Sequence, residues 1–543
     1  MTGRLRLIVR VANDPALRRI EIAFAGSALA EFATWLALLV YAFERGGVRE
    51  TGVVATALLI SAVIASPFAA FAGDRFRPGR ALSAGYAAQA LTATVVAVAM
   101  WRDAPVVAYG AAVGLTIAVS FGRPVVNSVL PAVTREPGDL VAANVVVNLI
   151  ADSGLFLGPL TAAGLMAIGG PELVLGVYSI VLVLATLATI GLDGTLTRPP
   201  SEPMALRTLR RELFAGLRTL MDEPAVRALV VLLFVGALAS GVMDVLVVSF
   251  ADLRLVGGGS RAGILAAGFG LGAVIGSLSA SALMGGARSG AFLVVGAATI
   301  SVPFALLAST DQLAIAVVLI GLIGAGQSML LVSGSVAIQR RTPGDTLARV
   351  FGAVESATLL AMAVGAAGSA LLLDRLVLRD ALWVIAAVLA LTLGMSVAWL
   401  IHVGADAAPP PGDIMRRLAE DRIFTLVDLP TLERLAHGAI LTEHCSGDAV
   451  ITEGEIGDSY HLLMEGDVEV TKAGDVMQRL GPGTAFGEIA LLRDVPRTAS
   501  VTCLTDVTLV SIRREDFLEI VTGHPRRLEV ATDLADGWDA RTT

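Results

Sequence analysis

The sequence predicts an α-helical polytopic membrane protein of about twelve transmembrane helices in two six-helix halves, followed by a C-terminal cytosolic β-roll with flanking helices. Three observations carry that expectation. Hydrophobic residues make up 55% of the 543 residues and charged residues only 16%, against about 25% charged in soluble chains. Apolar runs of membrane-spanning length recur to about residue 403 and then stop. Beyond that point charge returns, and short β-type runs alternate with Gly-Asp turns. The composition excludes an ordinary soluble enzyme and a disordered chain. The net charge of −8 argues against nucleic acid as a partner.

The first element is fixed by its flanks. Arg4, Arg6, Arg10, Arg18 and Arg19 precede an apolar run over 22–43. That run is longer than the roughly 7–15 residues of a signal-peptide core and long enough to cross a bilayer. The expected spans are 20–43, 52–72, 80–101, 105–131, 140–168 and 172–193, then 226–250, 261–284, 290–309, 312–337, 347–373 and 380–403. The polar, arginine-bearing segment 194–224 reads as the connector between the halves. Arginines also collect in 75–80 and 198–218 and at Arg340, Arg341 and Arg349, which places these segments in the cytoplasm. Arg45 and Arg49 in the first outer turn are a mild exception. An even helix count returns the C-terminus to the cytoplasm. Pro137-Gly138-Asp139 after the fourth helix and Pro343-Gly344-Asp345 after the tenth stand half a membrane domain apart, as repeated halves require.

The loop GDRFRPGR, residues 73–80, resembles the loop motif between helices two and three of the major facilitator superfamily. The resemblance implies that Asp74 and Arg75 form a cytoplasmic charge latch, since a carboxylate and a guanidinium make hydrogen bonds that can be broken and remade. The second half has Gly285-Gly286-Ala287-Arg288 there, without the acid. In helix five, Gly154, Gly158, Pro159 and Gly164 resemble the motif of exporter-type drug:proton antiporters, and the phrase with Asn127, Pro131, Ala143 and Asn144 is similar to bacterial effector exporters. Efflux of a small amphipathic solute is the function this implies.

Ionisable groups inside a membrane are costly and mark candidate coupling sites. They are Glu31 in helix one, Arg123 in helix four, Asp152 ahead of the helix-five glycines, Asp244 in helix seven towards the outer face, and Glu355 in helix eleven at the cytoplasmic mouth. A buried carboxylate is pushed up by desolvation and pulled down by a cation, the competition a proton-coupled carrier needs. The competing reading is a structural pairing of Glu31 or Asp152 with Arg123. Gly268, Gly270, Gly272 and Gly276 read as packing positions.

Residues 404–412, GADAAPPPG, form a stiff spacer between a membrane domain, 1–403, and a soluble domain, 413–543. A helix is expected over 413–439, then a roll, then two short helices from Arg514. The stretch FGEIALLRDVPRTASV, residues 486–501, resembles the phosphate-binding cassette of cyclic nucleotide-binding domains, and residues 453–470 match that family's early strands. By this resemblance Gly487 allows close backbone approach, Glu488 accepts from the ribose 2′-hydroxyl, and Arg497 pairs with the cyclic phosphate. Backbone N–H groups of Ile489, Ala490 and Thr498 complete the cradle. A hydroxyl at Thr498 permits cyclic GMP, but cyclic AMP is the expected regulatory ligand. Leu534 or Trp538 would cap the base. Cys445 and Cys503 form no metal or redox spacing and read as reduced, partly buried thiols.

The whole reads as a secondary transporter of a bacterial inner membrane, multi-pass with both termini cytoplasmic, regulated allosterically by a cyclic nucleotide. It is not expected to be an enzyme or to hold a metal or other cofactor. The alternative is a cyclic-nucleotide receptor whose membrane domain no longer transports. No arginine-striped helix or carbonyl filter of a channel is present, nor a G-x-S-x-G elbow.

Overall fold

A computed structural model describes residues 15–75, 78–122, 124–126, 129, 137–192, 224–255, 258–283, 289–342, 344–402, 412–421, 423–424, 427 and 429–522. The chain divides into two compact units, one helical and one built on strands.

In hydrocarbon every backbone N–H and C=O must be paired within the protein, so an apolar chain of this kind can cross only as helices. Among the described residues, nine helices are long and apolar enough to cross a membrane, and Leu293–Leu307 is a shorter apolar one. Two of the nine are too long for a single crossing. Helix Pro15–Arg75 is broken at Gly46-Gly47, and helix Pro137–Thr189 at Gly169-Gly170. Gly47 has φ +62° and Gly170 +73°, in the left-handed region that glycine enters without steric cost. Each break separates two runs of membrane length. With the other seven long helices and the shorter one, the described residues supply the expected twelve crossings. Limits agree within a few residues, as at Pro78–Trp101, Pro224–Leu253 and Leu378–His402. The fourth span begins at Pro105 and its apolar run extends to Val126, and most of the residues between there and 131 lie outside the described ones. The fifth and eleventh begin at Pro137 and Gly344, the two equivalent Pro-Gly-Asp sites.

The glycine breaks lie at one end of the unit with other turns. Arg45 approaches Glu50 at 3.9 Å and pairs with Asp103 after the third span. Arg254 after the seventh span pairs with Asp311 after the ninth. Glu44 lies within electrostatic reach of Glu172 and Asp252.

Lipid offers no hydrophobic drive for helices to associate, so close packing through small residues takes over. A Cβ on Gly154 would lie 2.9 Å from the carbonyl oxygen of Ala28, and one on Gly158 2.9 Å from that of Leu29. These two glycines therefore seat the fifth span against the first. Gly164 has open space around it, so the last glycine of the motif is not a contact. Gly270 faces the backbone of Leu155, whereas Gly268, Gly272 and Gly276 face Val317, Gly321 and Ala325 in the tenth span. The eighth span is thus wedged between the fifth and the tenth.

The second unit is an antiparallel roll of eight strands. They are β1 Ile440–His444, β2 Ala449–Ile451, β3 Ser459–Glu465, β4 Val468–Lys472, β5 Asp475–Leu480, β6 Ala485–Phe486, β7 Ser500–Cys503 and β8 Val507–Arg513. They form two four-stranded sheets, ordered β1-β8-β3-β6 and β2-β7-β4-β5. Ile451, Leu463, Val468, Leu480, Val501 and Leu509 fill one core. A second core joins Tyr460 and Leu462 of β3 to Leu418, Phe424, Leu432 and Phe517 of the helical segments. Tyr460 stacks on Phe517 at 4.8 Å and meets Phe424 edge-on at 5.8 Å. Strand β3 is therefore buried on both faces.

The helix expected over 413–439 is two helices, Gly412–Glu420 and Leu429–Gly438. An Asp421 carboxylate oxygen accepts from the Ile423 N–H at 2.9 Å and closes a turn between them. Pro430 has no N–H to extend a helix backwards. Helix Arg514–Thr522 is the first of the two expected at the end. Leu534, Trp538 and linker residues 404–411 lie outside the described residues. Cys503 is buried, but Cys445 is exposed, against the expectation for both thiols.

Candidate functional site

Gly487 sets the geometry of the strand unit's cavity. It precedes the short helix Glu488–Arg493 with φ +95°, and a Cβ there would stand 2.6 Å from Arg497 Nη1 and 3.3 Å from the Ser459 carbonyl oxygen. Only a glycine leaves room for the arginine that follows ten residues later. Arg497 is 6% exposed. Its Nη1 donates to the Gly487 carbonyl at 2.8 Å and its Nη2 to the Ser459 carbonyl at 2.7 Å. A guanidinium has five N–H donors, so the clamp fixes its plane and leaves donors for an anion. Asp458 Oδ1 lies 3.9 Å from Nη2. Burial lowers the arginine from its ordinary value, opposed by Asp458, Glu488 and Glu455.

Gly487, Glu488, Ile489, Ala490, Arg497 and Thr498, named from sequence 486–501, line one cavity. Glu488 is 6% exposed. Burial raises its carboxyl first. Its own backbone N–H then lowers it, Asp421 raises it, and Arg497 lowers it. The rest of the lining is mostly apolar, from Ile451, Val470, Met477, Leu480, Phe486, Ala499 and Val501, with Lys472 among them. The lining offers a cation with donors to spare, an acid and apolar surface. It suits an anionic group joined to a sugar hydroxyl and a planar ring.

His461 carried no signal in the sequence beyond its place in a strand. It is 8% exposed, its ring stacks on Phe486 at 5.4 Å, and it is held between Ser511 Oγ at 2.9 Å and Ser459 Oγ at 3.1 Å. Burial, and then the Arg497 charge, push it down to about 4. A neutral imidazole thus backs the residue whose carbonyl clamps the arginine.

In the helical unit, Asp244 is half-buried. Its Oδ1 accepts from Trp35 Nε1 at 3.0 Å, joining the seventh span to the first. Its Oδ2 is buried with no hydrogen-bond partner among the described residues. Sequence spacing could not have found Trp35, because the pair closes between the two halves. Glu31, Asp152 and Glu355 lie within candidate spans, and their side chains are exposed and not packed between helices. On the fifth span Gly154 and Gly158 take the face towards the first, and Asp152 falls outside that packed seam. Glu31, Asp152 and Glu355 all make interactions. Arg123 and the side chains of Asp74 and Arg75 lie outside the described residues, so the latch and the pairing with Arg123 do too.

Comparison with known proteins separates the same two regions. The profile of the Major Facilitator Superfamily matches residues 20–323, and that of the Cyclic nucleotide-binding domain matches residues 441–524. The chain is 41% identical over 100 residues to a cAMP-dependent protein kinase regulatory subunit of Yarrowia lipolytica, covering 18% of this chain and 27% of that protein. It is 35% identical over 105 residues to the cGMP-dependent protein kinase egl-4 of Caenorhabditis elegans, covering 19% of this chain and 12% of that protein. The chain thus spans 27% or less of the length of these curated relatives. A solved structure of the regulatory domain of Toxoplasma gondii PKA, co-crystallised with cAMP, is 21% identical with a TM-score of 0.21, covering 24% of this chain and 49% of that chain.

Proposed function

The chain belongs to the Major Facilitator Superfamily and carries a cyclic nucleotide-binding domain behind its membrane helices, and from that premise we propose that it is a transporter whose working state answers to a cyclic nucleotide. The observation that carries this reading is the cavity in which Arg497, held on two backbone carbonyls, stands with Glu488 and Thr498. Cyclic AMP is the proposed ligand, and the similarity to a cAMP-dependent kinase subunit supports it. Arg497 takes the phosphate oxygens, Glu488 the ribose hydroxyl, and the apolar lining the base. The functional division follows 1–403, 404–412 and 413–543, with both termini in the cytoplasm.

Strand β3 supplies the route out of the site. Ser459 accepts from Arg497, and its neighbour Tyr460 packs on Phe424 and Phe517 and donates to Asp421 at 2.8 Å. Drawing Arg497 onto a phosphate pulls on β3 and hence on the helix 412–420 that follows the proline spacer. Such coupling is worth about 1–3 kcal/mol in comparable systems.

For transport we propose proton-coupled efflux of a small amphipathic solute. The Oδ2 of Asp244, without a hydrogen-bond partner among the described residues, supports a role for that carboxyl, because an ionisable oxygen not engaged elsewhere is free to take up and release a proton. Glu31, Asp152 and Arg123 remain proposed partners in the path, and Asp74 with Arg75 the proposed latch.

The test is full-length protein in liposomes. Calorimetric titration with cyclic AMP and cyclic GMP, with Arg497→Ala as control, should show binding lost in the control. Solute and proton flux should change when nucleotide is added. Binding with no flux under any condition would favour the receptor that no longer transports, and no binding to folded protein would sink the regulatory reading.

A further inference from the structure

Lys472 is the only lysine in the chain, and it lines the nucleotide cavity. The pairing of β4 with β7 sets Val470 opposite Val501 and Thr471 opposite Ser500, which carries Lys472 to the level of Ala499, one residue from Thr498. Side chains alternate along a strand. Val470, two residues earlier, is buried in the core between the sheets, so Lys472 stands on that inner side at the edge of the cavity. It is half-buried, and its ammonium makes no hydrogen bond or ion pair among the described residues. Its neighbours in the lining are mostly apolar. A cyclic monophosphate carries one negative charge, and Arg497 already faces it from the cassette. A second cation in the apolar lining that would receive the base has a different task.

We propose that Lys472 is a specificity-determining residue that reads the purine edge, donating to N7 and O6 of a guanine, so that cyclic GMP competes with cyclic AMP for this site. Guanine presents two acceptors on that edge. Adenine presents N7 beside an amino donor that faces an ammonium unfavourably. Thr498, one residue from the level of Lys472, offers a hydroxyl to the guanine 2-amino group at the other end of the base. The inference rests on the cyclic-nucleotide reading above and deepens it by naming what sets the base preference.

The experiment is equilibrium binding of cyclic AMP, cyclic GMP and cyclic IMP to the full-length protein in detergent, comparing wild type, Lys472→Met and Lys472→Arg. Cyclic IMP keeps N7 and O6 but lacks the 2-amino group, so it separates Lys472 from Thr498. Lys472→Met should weaken cyclic GMP and cyclic IMP by about tenfold and leave cyclic AMP within about twofold, the discrimination expected of one such edge contact. Lys472→Arg should retain most of the wild-type preference. Equal weakening of all three nucleotides, or no change in any, overturns the assignment while leaving the cyclic-nucleotide reading intact. Failure of wild type to bind any of the three overturns both.

Discussion

Gly158 and Gly487 each remove a Cβ so that something can come close, and what comes close differs. At Gly158 it is the backbone of another helix, with Leu29 O 2.9 Å from where the Cβ would be. At Gly487 it is a charged side chain, Arg497 Nη1, at 2.6 Å. The helical unit uses small residues to let its spans touch, and its polar groups sit between or beside those seams. The roll uses a small residue to aim one cation into a cavity. Close approach serves a scaffold in the first region and a ligand site in the second.

The largest effect should come from crowding a backbone seam. Gly270 faces the carbonyl of Leu155, and a leucine there has nowhere to go without moving the eighth span off the fifth. Gly270→Leu should cost at least about 3 kcal/mol, the upper range for overpacking a close contact. It should abolish flux and lower the yield of folded protein, with nucleotide affinity of the surviving fraction unchanged. If nucleotide affinity fell with flux, the two regions would not be separable in this way.

Arg497→Ala is the mirror experiment. Removing a buried charge that faces an anionic ligand typically costs about 2–5 kcal/mol, so nucleotide affinity should fall about thirtyfold or more. Nucleotide-free flux should stay at the wild-type rate.

These two variants also mark what a sequence can show. The cassette was legible because its six residues fall within twelve positions and one local turn dictates their geometry. The spans were legible from length and hydropathy alone. The Trp35–Asp244 bond was not, because it closes between the first and seventh spans and neither residue has a local pattern. His461 was hidden for a related reason, since its partners come from β3, β6 and β8. For Glu31 and Asp152 depth along the helix was legible but not the face, because hydropathy carries none, and the structure leaves both side chains exposed and not packed between helices.

His461 sharpens the contrast through pH. Burial holds the folded imidazole down at about 4, below its ordinary 6.5, so between those values the unfolded chain binds more protons than the folded one. Stability of the roll should therefore be complete above pH 6.5 and fall as pH drops towards 4, with a ceiling of about 3 kcal/mol. Below that the imidazole is protonated in both states and adds no further slope. Pulse proteolysis of the full-length protein, read at sites in 440–522, measures this. His461→Gln should flatten the profile between pH 6.5 and 4, and an unchanged slope would place the titrating group elsewhere.

Asp244→Asn tests the other region with a near-isosteric change. The amide can still accept from Trp35, but it can no longer exchange a proton. Flux driven by a proton gradient should fall at least about tenfold, about 1.4 kcal/mol in barrier terms, while exchange of solute without a gradient persists. Loss of both would make Asp244 a structural tie between halves and not a coupling group.

The smallest effect is expected where the roll hands its signal to its helices. Tyr460 is 1% exposed and donates to Asp421 Oδ2 at 2.8 Å. Asp421 is raised by burial and lowered by its bonds to Ile423 N–H and Tyr460. Tyr460→Phe keeps the stacking on Phe517 and removes only the hydroxyl, at a cost of about 1 kcal/mol. Nucleotide affinity should stay within about twofold, because the Ser459 carbonyl that clamps Arg497 is backbone and remains in place. The change in flux on adding nucleotide should shrink, because Asp421 no longer ties β3 to the helix 412–420. The measurement is the ratio of flux with and without saturating nucleotide, in the variant and in wild type. A full response in Tyr460→Phe would show that this side of β3 holds the roll together without carrying its message. The handover would then have to be sought in helix 514–522, which meets the same strand through Phe517.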